Sequence, residues 1–135
     1  MSVVLDSSTT LAWVYGDERT AAIEAVFDIV AEDGAYVPNL WHLEVANALT
    51  VAIRRQRISA AECAEILSDL AHLDIFVDDA TAQHAWKATV QIAALYGLSV
   101  YDAAYLELAQ RRRVSLATLD KALINAAKAS GVEVV

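Results

Sequence analysis

Cysteine, proline and glycine are scarce in this chain of 135 residues, which holds one Cys, one Pro and four Gly. A single thiol, Cys63, excludes an intrachain disulfide and a multi-thiolate zinc site. The three histidines, His42, His72 and His84, show no i, i+4 pairing of the kind that ligates a metal from a helix. Long hydrophobic runs are also missing. Hydrophobic residues make up 57% of the chain and its mean hydropathy is +0.37. Even so, no stretch approaches the roughly 18–20 uninterrupted apolar residues of a transmembrane helix. The N-terminus lacks the basic-then-apolar pattern of a signal peptide, so a cytoplasmic protein without membrane association is expected. Positive charge is in short supply, with ten Lys and Arg against eighteen Asp and Glu, a net charge of −8 and a pI near 4.7. Such a surface does not hold nucleic acid by broad, salt-driven attraction. It suits a basic partner instead. The apolar surplus predicts association with other chains, as an oligomer or a stable complex.

The elements alternate. Short apolar runs at Val3–Leu5, Ala35–Val37, Ile75–Val77, Val114–Ala117 and Val132–Val135 read as five strands. Between them, helices are expected from Ser7 or Ser8 to Tyr15, from Glu18 to Glu32, from Leu40 to Gln56 and up to His72 behind the capping box Ser59-Ala60-Ala61-Glu62. Further helices are expected from Ala80 to Tyr96, where Gly97 serves as a C′ glycine, from a start near Ser99 to Arg112, and from Lys121 to Ala129. Strands separated by helices imply a three-layer α/β/α domain, residues 1–135, around a parallel sheet of about five strands.

Four acids stand out against this pattern. Asp6 closes the first strand and Asp120 follows the fourth; Glu44 and Asp102 lie near the starts of helices. In a parallel sheet these places share one edge, where ligand sites form. Each acid also has an ordinary explanation, Asp6 and Asp120 as helix caps and Asp102 as a first-turn acid facing the helix dipole. Glu44 has mostly apolar helical neighbours, although Asn47, Thr50 and Arg54 continue a polar stripe beside it. Gathered together, such acids repel one another unless a divalent cation neutralises them. With no thiolate cluster or paired imidazoles, the hard oxygen ligands point to Mg²⁺, with Mn²⁺ as substitute. Asp6 is best placed as the central ligand and Asp102 as its partner. Glu44 and Asp120 complete a second position, act through water, or orient the nucleophile.

Four segments, in order, carry a resemblance. They are Val4-Leu5-Asp6-Ser7-Ser8, Val37-Pro38-Asn39-Leu40-Trp41-His42-Leu43-Glu44-Val45-Ala46-Asn47-Ala48-Leu49, Leu98-Ser99-Val100-Tyr101-Asp102-Ala103-Ala104-Tyr105-Leu106, and Leu116-Ala117-Thr118-Leu119-Asp120. Together they resemble the PIN-domain ribonucleases, and most closely the VapC toxins of type II toxin–antitoxin pairs. The resemblance spans nearly the whole chain. It implies catalytic acids at Asp6, Glu44, Asp102 and Asp120, a Mg²⁺ pocket, RNA as substrate, and a cognate VapB-like antitoxin that blocks the site. Ser7, Ser8 and Thr118 match more loosely, as supporting polar contacts.

Six of the ten basic residues fall in two clusters, Arg54-Arg55-Arg57 and Arg111-Arg112-Arg113, at helix C-termini, where cations balance the dipole. Lys121, directly after Asp120, is the better candidate for contact with RNA, and Arg19 a weaker one. Trp13, Tyr15, Phe27 and Trp41 are expected mostly in the core, with an exposed subset offering a groove to a partner helix. Two other functions fit less of the sequence. One is a PIN-type RNA-processing nuclease without an antitoxin. The other is a Mg²⁺-binding, flavodoxin-like signalling module, for which Asp78 and Asp79 are weak phospho-acceptors.

Overall fold

The computed structural model describes residues 2–135. Four short strands, β1 (Val3–Leu5), β2 (Ala35–Val37), β3 (Ile75–Val77) and β4 (Ser115–Ala117), form one parallel sheet in the order β3-β2-β1-β4. Helices flank it: α1 (Ser7–Val14), α2 (Ala21–Asp33), α3 (Trp41–Arg54), α4 (Ala60–Ala71), α5 (Thr81–His84), α6 (Val90–Tyr96), α7 (Val100–Arg112) and α8 (Lys121–Ala129). All three residues of β1 are fully buried, as expected of a central parallel strand covered on both faces. From β1 the chain adds β2 and β3 on one side, and β4 returns to the other. The order therefore reverses between β1 and β4, the place where open parallel sheets form ligand crevices.

Local signals set most boundaries. The capping box at Ser59 is present with both of its hydrogen bonds, and Gly97 ends α6 in the left-handed conformation. Gly34, between α2 and β2, has φ +76°, and a Cβ there would lie 2.8 Å from the Asp74 carbonyl oxygen, so the turn requires glycine. α7 passes across the sheet with Ala103 through Ala109 buried without a break.

Three expectations change. The fifth strand, Val132–Val135, is a single bridge, Leu116 to Val134, held by Leu116 N–H to Glu133 O at 2.9 Å and Val135 N–H to Leu116 O at 3.0 Å. Among the described residues the sheet has four strands. The helix expected from Glu18 begins only at Ala21, because the Thr20 hydroxyl accepts from Ile23 N–H and caps it there, leaving Gly16–Glu18 as a 3₁₀ turn. The helix expected over Ala80–Tyr96 is interrupted by a π-type turn, Ala85–Thr89, with Lys87 at φ −116°, ψ −107°. The bulge buries Thr89 and leaves Trp86 93% exposed.

Candidate active site

Asp6 leaves the sheet at the end of β1 and caps α1, accepting from Thr9 N–H at 3.1 Å. The expected cap role is therefore real, but it uses only part of the side chain. The Ser8 hydroxyl also donates to Oδ1 at 2.6 Å, and the Thr118 hydroxyl at the end of β4 donates to Oδ2 at 2.6 Å. An ionised carboxylate oxygen accepts about two hydrogen bonds. Oδ1 is thus saturated, whereas Oδ2 keeps one acceptor position. Asp6 is only 4% exposed, and burial pushes its carboxyl above the usual range against these three hydrogen bonds, with Asp102 adding repulsion.

The other acids face the same place. Glu44, in the first turn of α3, is half-buried; burial raises it, the Tyr105 hydrogen bond opposes the rise, and the charges of Asp102 and Asp6 add to it. Asp102, in the first turn of α7 behind the Ser99 cap, is also half-buried. Burial raises it, Asp120 adds repulsion, and the Ser99 hydrogen bond opposes both. Asp120 caps α8, its Oδ2 accepting from Leu123 N–H at 2.9 Å. Its own N–H donates to Thr118 Oγ1 at 3.1 Å, so Thr118 links Asp120 to Asp6. Asp6, Glu44 and Asp102 thus sit within electrostatic reach of one another, and Asp120 within reach of Asp102, on four different elements. Burial and mutual repulsion act in the same direction, and no Lys or Arg is among the causes acting on Asp6, Glu44 or Asp102.

Tyr105 is the residue the sequence reading missed. It is 1% exposed on α7, and its hydroxyl donates to Glu44 Oε1 at 2.5 Å, between residues 61 positions apart. Burial, then the Glu44 hydrogen bond and charge, push its hydroxyl far above the usual tyrosine value, opposed by a hydrogen bond with the Ser7 side chain. The available signal was its position three residues after Asp102, on the same helical face. Ser8 accepts from Leu119 N–H at 3.1 Å while donating to Asp6, which ties the ends of β1 and β4 together.

The basic residues are mostly occupied elsewhere. Arg19 donates from Nε and Nη2 to Trp13 O at 2.9 and 2.6 Å and lies 3.4 Å from Glu24, so it is engaged in the α1–α2 region. Arg57 pairs with Glu18 at 2.7 Å and covers the Tyr15 ring at 4.0 Å. Arg111 grips Asp78 with both terminal nitrogens, at 2.9 and 2.7 Å, and turns Nε to Glu107. Asp78, 1% exposed and held in this fork, has no accessible oxygen for a phospho-acceptor role. Lys121 is exposed beside Asp120. Of the aromatics, Phe27 and Trp41 are core residues, and Trp13 is half-buried with its ring stacked on Phe27 at 4.3 Å. Tyr15 is half-buried and lines a groove of about 310 Å³ with Leu11, Ala48, Val51 and Ala52, rimmed by Arg55 and Arg57.

As to a metal, the donor chemistry fits a hard divalent cation: carboxylates of raised affinity for positive charge, with an open position on Asp6 Oδ2. Among the described residues no group of three or more His, Cys, Asp or Glu side chains is arranged to hold a metal ion. Mg²⁺ does not need one, because it is commonly held by one or two carboxylates and keeps several waters.

This fold has known counterparts. The chain matches the PIN domain family over residues 3–129, nearly its full length, and belongs to that family. It is 29% identical over 123 residues to Ribonuclease VapC3 of Pyrobaculum aerophilum, covering 91% of this chain and 92% of that protein. The crystal structure of PAE2754 from Pyrobaculum aerophilum aligns with a TM-score of 0.72 at 22% identity, over 100% of this chain and 84% of that one. At that identity the likeness speaks for the fold.

Proposed function

We propose that this chain is a Mg²⁺-dependent endoribonuclease of the VapC type, the cytoplasmic toxin of a toxin–antitoxin pair. The observation that carries the reading is the uncompensated charge at the switch point. Asp6, Glu44 and Asp102 are all raised by burial and by neighbouring carboxylates, and no Lys or Arg acts on any of the three. Membership of the PIN family and the likeness to a protein named Ribonuclease VapC3 support the same reading.

Asp6 and Asp102 would hold the cation, with Glu44 and Asp120 reaching it directly or through water. Once bound, Mg²⁺ lowers the pKa of an attacking water and neutralises charge on the phosphate. The chain's own residues do the rest. Ser8, Thr9 and Thr118 fix Asp6 so that Oδ2 is its available oxygen. Glu44, raised by burial and by like charges, takes up a proton more readily than a free glutamate does. The rim suits a single strand: Leu43, Tyr101 and Leu119, each adjacent in sequence to one of the acids, are 76%, 66% and 50% exposed. Exposed apolar and aromatic surface can take unstacked bases, which partly offsets the repulsion between RNA and a chain of charge −8. Lys121 lies beside this rim as the local positive charge.

The antitoxin in this reading is basic and partly helical. An Arg or Lys of the partner enters the acid pocket in place of the cation, and its helix lies along the groove of Leu11, Tyr15, Ala48, Val51 and Ala52. A homodimer within a larger complex with the antitoxin is part of the same proposal, supported by the chain's apolar surplus. The test is inducible expression of the chain beside its Asp6→Asn variant, with and without the candidate antitoxin. Growth arrest by the parent alone, relieved by the antitoxin, supports the proposal. Unimpeded growth with RNA cleavage intact in vitro would leave a PIN nuclease that serves RNA processing.

A further inference from the structure

Glu44 occupies an awkward position. Its carboxylate is half-buried beside two like charges, Asp6 and Asp102, and a glutamate has three rotatable bonds with which to swing away from them. The protein group that donates to it is the hydroxyl of Tyr105, at 2.5 Å. That hydroxyl is the single polar atom of a side chain otherwise sealed in the core, on the helix that also carries Asp102. A phenyl ring would fill the same space, so the hydroxyl is not needed for packing. We infer that Tyr105 is a positioning residue: its hydroxyl holds Glu44 Oε1 inside the acid cleft and leaves Oε2 as the oxygen free to meet a water, a proton or a cation. Because Tyr105 and Asp102 share α7, one rigid element then fixes two of the four acids relative to Asp6. The inference rests on reading the acid cleft as a Mg²⁺ site.

The alternative is a staple between α3 and α7 with no bearing on the cleft. Tyr105→Phe, Glu44→Gln and the double variant separate the two. The measurements are Mn²⁺ binding by titration calorimetry, kcat and KM on a short single-stranded RNA, and melting temperature in metal-free buffer. If Tyr105 positions Glu44, Tyr105→Phe melts within a few degrees of the parent. It weakens Mn²⁺ binding or lowers kcat about 10- to 100-fold, as losses of outer-shell partners do, while KM for RNA moves less than about threefold. In the Glu44→Gln background the same change adds less than about twofold, since there is no carboxylate left to position. Unfolding of Tyr105→Phe, or unchanged Mn²⁺ affinity and kcat, or fully multiplicative effects in the double variant, overturns the inference. A parent that binds Mn²⁺ but cleaves no RNA refutes the nuclease reading, and the calorimetry still decides the role of Tyr105.

Discussion

Around Asp78 and Glu107, two buried carboxylates meet a guanidinium. Arg111 closes on Asp78 with both terminal nitrogens and on Glu107 with Nε, and Arg112 lies 4.0 Å from Asp78. Around Asp6 and Asp102, four carboxylates meet hydroxyls, backbone N–H groups and one another. The first group is complete within the chain, and Arg111 holds Asp78 below its ordinary value. In the second group Asp6, Glu44 and Asp102 all stand above theirs. The same residue types thus serve opposite ends. Acids bridged by arginine tie α7 to the exit of β3, whereas Asp6, Glu44 and Asp102 at the β1–β4 switch point have no arginine or lysine acting on them. Burial alone does not tell the two apart, since Asp78 is 1% and Asp6 4% exposed. The presence of an internal counter-charge does.

Substitutions should separate the two clusters. The largest expected effect is on catalysis. Asp6→Asn should lower RNA cleavage more than about a hundredfold, exceeding the loss typical of an outer-shell partner. Asn is an equally good helix cap, so its melting temperature in metal-free buffer should be no lower than the parent's. Asp102→Asn should behave likewise. A marked drop in both variants would mean that these acids serve the fold. Next comes Arg111→Met, which strands Asp78 and Glu107. Removing one partner of a buried pair costs on the order of 3 kcal/mol, read by urea denaturation, while activity per folded molecule should stay near the parent's. A variant of parental stability would erase the contrast from the other side.

Smaller effects follow from pH and ligand linkage. Asp6, Glu44 and Asp102 are raised from ordinary values of 3.8, 4.5 and 3.8, so above those values the folded state holds more protons than the unfolded one. Metal-free stability should therefore fall as pH rises from about 4 toward neutrality, and Asp6→Asn should flatten that fall. Asp78 works the other way. Its contribution is complete above 3.8 and is lost as pH drops through its lowered value, and Arg111→Met should remove that acid-side loss. Melting curves across pH 3–8 in the parent and both variants test the two signs together. Mg²⁺ at about 100 times its Kd should stabilise the parent by about 2.7 kcal/mol, and Asp6→Asn by much less.

Much of this was legible in the sequence because it is local. Three-residue apolar runs, the Ser59 box, Gly97 and the placement of acids just past strands or just inside helices depend on near neighbours, and the resemblance to PIN ribonucleases rested on those segments. What escaped depends on distance. The partner of Tyr105 is 61 residues away, and inside the apolar run of α7 the ring looks like core. Arg111 lies 33 positions from Asp78, so the arginine cluster read as helix-end charge rather than as a fork on buried acids. No Pro or Gly marks the bulge at Ala85–Thr89, and the terminal valines have strand composition without a second neighbour to pair with. Both acid clusters are aspartates and glutamates in sequence, and only the fold gives the arginines to one of them.

The most direct test is the chemistry of the RNA ends. Purified protein is incubated with a labelled single-stranded RNA in Mg²⁺, in EDTA, and as the Asp6→Asn variant, and the product termini are identified. Water attacking the phosphate under the control of these acids and a cation yields 5′-phosphate and 3′-hydroxyl ends, formed with Mg²⁺ and absent from the other two reactions. Products ending in 2′,3′-cyclic phosphate, or cleavage undiminished in EDTA, would contradict the account, because either would show that the acid cluster at the switch point does not do its work through a bound cation.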